Sequence, residues 1–153
     1  MSENRKFSVL MSVYIKENST FLEEAVESIL HQTLKPSEVV IVEDGPLTPE
    51  LYQVLEKLET QSSIPIKRCP LEQNRGLGLA LQYGVLQCQY DVIARMDTDD
   101  IAVEDCFEQQ FDLMEKENLD LLGGHIAEFI DQPDEIVSYR RVPIKHEDIV
   151  AYQ

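Results

Sequence analysis

Apolar and polar positions along the chain form short β-branched runs that alternate with stretches of helical period, the pattern of βαβ units and a mostly parallel sheet. Phe7-Ser-Val-Leu-Met-Ser-Val-Tyr14 is a continuous apolar run of strand length, as a strand buried on both faces requires. Phe21, Leu22, Ala25, Val26, Ile29 and Leu30 then recur at helical spacing, with Thr20 as N-cap, Glu23 completing a capping box, and Pro36 marking the far side. Val39–Val42 predicts a second strand, closed by the turn sequence Glu43-Asp44-Gly45-Pro46. Thr48 and Pro49 suit the N-cap and N1 positions of a helix presenting Leu51, Val54, Leu55 and Leu58. Ile64–Cys69 predicts a third strand. Asn74-Arg75-Gly76-Leu77-Gly78 leads into a helix with Leu77, Leu81 and Val85 in register, and Val92–Met96 predicts a fourth strand, running into Asp97-Thr98-Asp99-Asp100. Val103, Cys106, Phe107, Phe111 and Met114 form the stripe of a helix ending near Asn118. Leu119–Gly124 and Ile136–Val142 read as fifth and sixth strands, and Pro143–Gln153 begins a last helix. No repeat, linker or low-complexity tract interrupts the pattern, which describes one α/β domain over residues 1–153.

Length agrees, since 153 residues suffice for one hydrophobic core. Charge adds more. Thirteen Lys and Arg against 29 Asp and Glu give a net charge of −16, which argues against nucleic acid as a partner and against a direct electrostatic grip on anionic lipid. Residues Asp97–Asp120 hold ten of the acids and one lysine, so the acidity concentrates in one turn and the helix after it. The helix carboxylates Asp112, Glu115 and Glu117 read as a solvated face opposite Phe107 and Phe111. No apolar run approaches the roughly 20 residues of a membrane helix, and Met1–Lys6 with the run after it is too short for a signal peptide, so a cytoplasmic protein is expected. Cys69, Cys88 and Cys106 lack CxxC spacing and are expected to be reduced; His31, His125 and His146 lack ligand spacing to one another.

Candidate chemistry lies at the carboxyl ends of the strands, where open α/β sheets bind ligands. Those ends read Val13-Tyr14, Glu43-Asp44-Gly45, Asn74-Arg75-Gly76 and Asp97-Thr98-Asp99-Asp100. Carboxylates two residues apart on a turn leaving a buried strand can hold a hard divalent cation, and a diphosphate approaching so acidic a surface needs such a cation as a bridge. The same aspartates could instead favour the positive end of the following helix. An EF-hand reading fails, because Ile101 cannot supply the fifth-position oxygen and Ala102 stands where the sharp turn needs glycine. Gly76-Leu-Gly78 is half of a dinucleotide fingerprint, yet the first βα turn, Ile15-Lys16-Glu17-Asn18, contains no glycine. Arg75 suits either a phosphate or solvent. Arg95 interrupts an apolar strand and needs a partner, either the aspartates just beyond it or a substrate.

Taken together, Ser8-Val-Leu-Met-Ser-Val-Tyr14, Ser28-Ile-Leu-His-Gln-Thr33, Val42-Glu-Asp-Gly45, Asn74-Arg-Gly-Leu-Gly78 and Ile93-Ala-Arg-Met-Asp-Thr-Asp-Asp100 resemble the family 2 inverting glycosyltransferases, closest to those that assemble bacterial exopolysaccharides. The resemblance implies a GT-A fold whose nucleotide-diphospho-sugar donor is bound through Mg²⁺ or Mn²⁺. It places Val13, Tyr14 and Glu17 near the base and ribose, and Asp44 on the base. It also puts Asp97 toward the ribose or metal and Asp99 on the metal. Leu81 stands where the family pattern has an arginine, so Arg75 or Arg95 is expected to serve the diphosphate. The acceptor, a saccharide or lipid-linked saccharide, would be met by a downstream half carrying the catalytic base beyond residue 153, with peripheral membrane association of the full-length protein. By that reasoning this part alone would not turn over. The alternative is a non-catalytic nucleotide- or partner-binding module of the same fold.

Overall fold

The computed structural model describes residues 5–152; most of the Met1–Lys6 stretch and the final Gln153 lie outside the described residues. The chain divides into two compact units, one ending at Phe111 and the other beginning at Asp112.

The first unit is built on four parallel strands: β1 (Ser8–Val13), β2 (Glu38–Glu43), β3 (Ile66–Pro70) and β4 (Ile93–Arg95), in the order β3-β2-β1-β4. Helices α1 (Ser19–Leu30), α2 (Pro49–Gln61) and α3 (Leu77–Val85) connect them, and α4 (Cys106–Glu117) follows β4. Parallel strands need crossover connections, which bury both sheet faces; Val39, Val40, Ile41 and Val42 are accordingly all fully buried. One face packs Val9, Met11, Ile41, Leu22, Val26, Ile29, Leu51, Leu55 and Phe107 together, with Phe7 edge-on to Phe107 at 5.2 Å between ring centroids. The other face is thinner, with Leu10, Val40, Val42 and Cys69 under Ala80 of α3.

Helix α2 begins as its sequence predicts, with the Thr48 side chain accepting from Leu51 N–H at 3.3 Å and Pro49 in the first turn. Helix α1 does not. Its N-cap is Asn18, whose Oδ1 accepts from the N–H of Thr20 and Phe21, so Thr20 lies inside the helix, and Glu23 pairs with Lys57 rather than closing a capping box. Helix α3 also corrects its sequence reading. Leu77 and Val85 are about half exposed and Leu81 only partly buried, whereas Ala80 and Gly84 face the sheet. Close approach decides this: a Cβ on Gly84 would lie 2.4 Å from Leu10 Cδ1. Val103 lies outside the α4 stripe, ahead of the helix and 68% exposed. The helix stops where expected, with Asn118 in the left-handed region at φ 51°.

In the second unit, β5 (Ile126–Phe129) and β6 (Ile136–Arg140) form an antiparallel hairpin, followed by α5 (His146–Tyr152). The expected strand at Leu119–Gly124 is absent; that run carries no ladder, and pairing starts only after Gly123 and Gly124. The sixth strand ends at Arg140 rather than Val142. On one hairpin face Glu128 accepts from Ser138 and from Arg140, the latter at 2.7 Å. Cys69, Cys88 and Cys106 are free, as the sequence implied.

Candidate functional site

The four parallel strands direct their carboxyl ends to one edge of the sheet, and the candidate residues lie on the last strand positions or on the loops leaving that edge. At the centre Val13, fully buried, ends β1, and its carbonyl accepts from Asp44 N–H at 2.8 Å, carrying the β1–β2 pairing one residue past the strands. Tyr14 is exposed beyond it, and a tight turn returns Glu17 N–H to the Tyr14 carbonyl at 3.1 Å.

That turn brings Glu17, half-buried, to the acidic turn after β4. Burial raises the Glu17 carboxyl above the usual carboxylate range; a hydrogen bond with Thr98 opposes the rise, and the charges of Asp99 and Asp97 add to it. Glu17, from the loop after β1, therefore lies within electrostatic reach of both aspartates of the turn after β4. Thr98, only 3% exposed, is the buried pivot between them, and sequence reasoning passed over it as the spacer of Asp-x-Asp. Arg95, at the end of β4, finds the partner that its position demanded: its guanidinium forks onto both carboxylate oxygens of Asp97, with Nη1 at 2.8 Å from Oδ2. Asp99 is exposed.

On the β2 side, Asp44 is 3% exposed, and its carboxylate is filled by backbone: Oδ1 accepts from Arg75 N–H at 2.7 Å and Oδ2 from Gly76 N–H at 3.0 Å. Its carbonyl accepts from Asn74 Nδ2 at 3.2 Å. Gly45, at φ 87°, makes room for this loop, since a Cβ there would lie 2.6 Å from Asn74 N. Arg75 itself is exposed, and its guanidinium has no ion-pair partner among the described residues. Glu43, buried beneath the loop, is held by Arg68 at 2.5 Å from Nε to Oε1.

The acidic turn is held at its far end by residues that the sequence reading recorded only as a motif. The Ser28 hydroxyl accepts from Ala102 N–H at 3.1 Å. Gln32, 1% exposed, donates to the Val103 carbonyl at 2.7 Å and accepts from Phe107 N–H at 3.1 Å. Thr33 N–H donates to the Glu104 carbonyl at 2.9 Å, and its hydroxyl reaches Glu108 at 2.8 Å. The side-chain amide and hydroxyls at the end of α1 find these partners only in three dimensions. Among the histidines, His31 caps α1 through the Glu27 carbonyl and His125 accepts from Val142 N–H.

Among the described residues no group of three or more His, Cys, Asp or Glu side chains is arranged to hold a metal ion by itself. Asp97, engaged by Arg95, and the exposed Asp99 stand two residues apart on the same turn and are the carboxylates there that could be offered to a cation. Such a set fits a hard cation that takes its remaining oxygens from a diphosphate.

The model of glycosyl transferase family 2 matches residues 8–152. The chain belongs to that family. An uncharacterized glycosyltransferase of Haemophilus influenzae is 49% identical over 148 residues, covering 96% of this chain and 55% of the relative. The UDP-Gal:alpha-D-GlcNAc-diphosphoundecaprenol beta-1,3-galactosyltransferase of Escherichia coli is 39% identical, over 92% of this chain and 51% of that protein. The amylovoran biosynthesis glycosyltransferase AmsE of Erwinia amylovora is 40% identical, over 94% and 53%. The chain thus spans about half the length of the curated relatives it matches. Among solved structures, S. aureus TarS 1–349 in complex with UDP superposes with a TM-score of 0.63 at 25% identity, over 74% of this chain and 33% of that one. The mannosyltransferase PcManGT from Pyrobaculum calidifontis, in complex with GDP-Man and Mn²⁺, gives 0.63 at 18% identity, over 84% and 36%. The fold of this family 2 chain is GT-A, as its motifs implied.

Proposed function

We propose that this chain binds the nucleotide-diphospho-sugar donor of an inverting transferase acting in bacterial polysaccharide assembly. The supporting observation is the convergence of Glu17, Asp97 and Asp99 at the carboxyl edge of the sheet, beside the exposed Tyr14. Relatives act from UDP-Gal or in amylovoran biosynthesis, and TarS binds UDP, which supports a uridine nucleotide. In this reading Val13 and Tyr14 flank the base and Glu17 the ribose. Asp97 and Asp99 hold Mg²⁺ or Mn²⁺, which when bound neutralises charge building on the diphosphate leaving group. Arg95 keeps Asp97 in one orientation and removes part of its repulsion toward the donor. The acceptor is a saccharide, lipid-linked as in the E. coli relative, and the whole protein works at the cytoplasmic side of a membrane by peripheral association.

Calorimetric titration of UDP and GDP with and without Mn²⁺ tests the reading. Expected is metal-dependent binding of UDP that Asp99→Ala weakens at least tenfold. Binding that needs no metal, or that survives Asp99→Ala undiminished, would refute the metal assignment.

A further inference from the structure

Asp97 and Asp99 reach their places by different means. Arg95 grips both oxygens of Asp97, whereas the Asp99 side chain makes no hydrogen bond or ion pair among the described residues, so its carboxylate stands where the backbone of the turn puts it. That backbone is held on either side of Asp99 by residues of α1 and its flanks. Ahead of it, the side chain of Glu17, one residue before the Asn18 cap, is hydrogen-bonded with the buried Thr98. Beyond it, Ser28 accepts from Ala102 N–H at 3.1 Å, while its own hydroxyl hydrogen goes to the Ala25 carbonyl at 2.7 Å. Gln32 Nε2 donates to the Ser28 carbonyl at 3.1 Å and to the Val103 carbonyl at 2.7 Å. Its Oε1 accepts from the N–H of Phe107, whose ring packs in the core edge-on to Phe7. Only Asp99, Asp100 and Ile101 lie between the two anchors at Thr98 and Ala102.

We infer that Ser28 and Gln32 are positioning residues for the metal: their side chains hold residues 102–103 so that Asp99 is presented to the cation from a fixed turn. This rests on the nucleotide-sugar reading above and extends it to two side chains at the opposite end of α1 from Glu17. Groups bonded to a segment that carries a metal ligand act as an outer shell, fixing the direction of the ligand before the ion arrives. The local chemistry fits that task. Gln32 is 1% exposed and bonded to backbone at both its amide nitrogen and its oxygen, so it cannot turn without stranding a donor and an acceptor away from water. Ser28 has one hydroxyl hydrogen, committed to Ala25, so toward Ala102 it can only accept. Loosening either side chain frees the segment beyond Asp99 and leaves the Arg95 fork intact, so Asp97 keeps its orientation and the loss falls on Asp99.

UDP is titrated calorimetrically at a series of Mn²⁺ concentrations into the wild-type chain, Ser28→Ala, Ser28→Thr and Gln32→Glu, with Leu58→Ala as a control that weakens the core near the carboxyl end of α2. Gln32→Glu keeps an acceptor for Phe107 N–H and loses the donor to Val103. Expected is that Ser28→Ala and Gln32→Glu each raise the Mn²⁺ concentration at half-saturation about tenfold, while UDP still binds at saturating Mn²⁺. Ser28→Thr, which keeps the hydroxyl, and Leu58→Ala should match the wild type. Amide exchange at Ala102 in the ligand-free chain should be about tenfold faster in Ser28→Ala. Either an unchanged Mn²⁺ midpoint or unchanged exchange at Ala102 in that variant would overturn the inference. So would an equal shift of the midpoint in Leu58→Ala, because the effect would then be one of general stability. If Gln32→Glu does not fold, the two Ser28 variants decide. A wild-type chain that binds no UDP with Mn²⁺ would overturn the nucleotide-sugar reading itself, an outcome distinct from wild-type binding that Ser28→Ala leaves untouched.

Discussion

Removing Arg68 should destabilise the first unit far more than removing an ordinary surface arginine. Its Nε donates to Glu43 Oε1, and Nη1 lies 3.8 Å from Glu59 Oε2; the Arg68 side chain is 21% exposed and that of Glu43 only 4%. The guanidinium carbon also lies 5.8 Å from the Tyr52 ring centroid. Breaking a fully buried ion pair by deleting one partner costs about 3–5 kcal/mol, because the remaining charge is stranded. Water reaching the fifth of Arg68 that is exposed reduces this to about 2–3 kcal/mol, and loss of the cation–π contact adds about 0.5–1 kcal/mol. Arg68→Met keeps the packing of the aliphatic stem, so about 2.5–4 kcal/mol is the expected loss. Glu43→Gln, whose amide oxygen can still accept from Arg68, should cost about 1 kcal/mol, and the double variant should recover most of the Arg68→Met loss. Urea unfolding followed by circular dichroism and tyrosine emission measures all three; the sequence has no Trp, and Tyr52 lies beside the substitution. An Arg68→Met variant within about 0.5 kcal/mol of wild type, or strictly additive changes, would show that the pair is solvated and the reasoning wrong.

Gln32→Leu should lower stability by about 2–4 kcal/mol, since it leaves Phe107 N–H and the Val103 carbonyl without their partner in a dry setting, with faster exchange at Phe107 as its signature. Glu17→Gln should stabilise the protein at pH 7. The folded-state carboxyl is raised above 4.5 chiefly by burial, so its contribution is favourable below that value and is lost as pH rises through the folded pKa. The advantage of the glutamine should therefore vanish in melts below about pH 4.5; an advantage constant with pH would contradict the cause given. Burial raises the thiols of Cys69, Cys88 and Cys106 above 9.0, so a thiol reagent at pH 7.5 should modify the native protein slowly and urea should release three fast equivalents. Rapid modification of all three in the native state would refute the burial.

The parts of this fold that could be read in one dimension are those whose cause is local. Val39–Val42 is a strand because four consecutive β-branched residues suit burial on both faces, and Thr48-Pro49 starts a helix by its own chemistry. The aspartates beyond Arg95 were legible as one of its two possible partners because they stand on the same short segment, and the structure pairs it with Asp97. Where two readings were locally equal, long-range packing decided. Thr20, read as the cap from its spacing to Glu23, lies inside α1, and Asn18, two residues earlier and equally suited to capping, accepts from the N–H of Thr20 and Phe21. Helix α3 is apolar nearly all round, so period alone does not choose a face; the short distance to Leu10 selects Ala80 and Gly84. Leu119–Leu122 has strand composition but no partner, whereas Ile126–Phe129 has one in Ile136–Arg140. In the site, the sequence showed which chain ends carry acids, but not that Asp44 spends its oxygens on a loop thirty residues away, nor that Thr98 and Glu17 meet.

The hydrogen bonds that link Ser28, Gln32 and Thr33 with residues 102–108 make the end of α1 and the exit of the acidic turn one structural module. A chimera that exchanged the turn between two relatives, but kept the recipient's α1, would bring an aspartate pair without its moorings. Recombination that preserves function should therefore cross over outside both segments together. In mutational landscapes, the tolerance of positions 28, 32 and 33 should depend on the residues at 102–108 more than on their own neighbours in the helix.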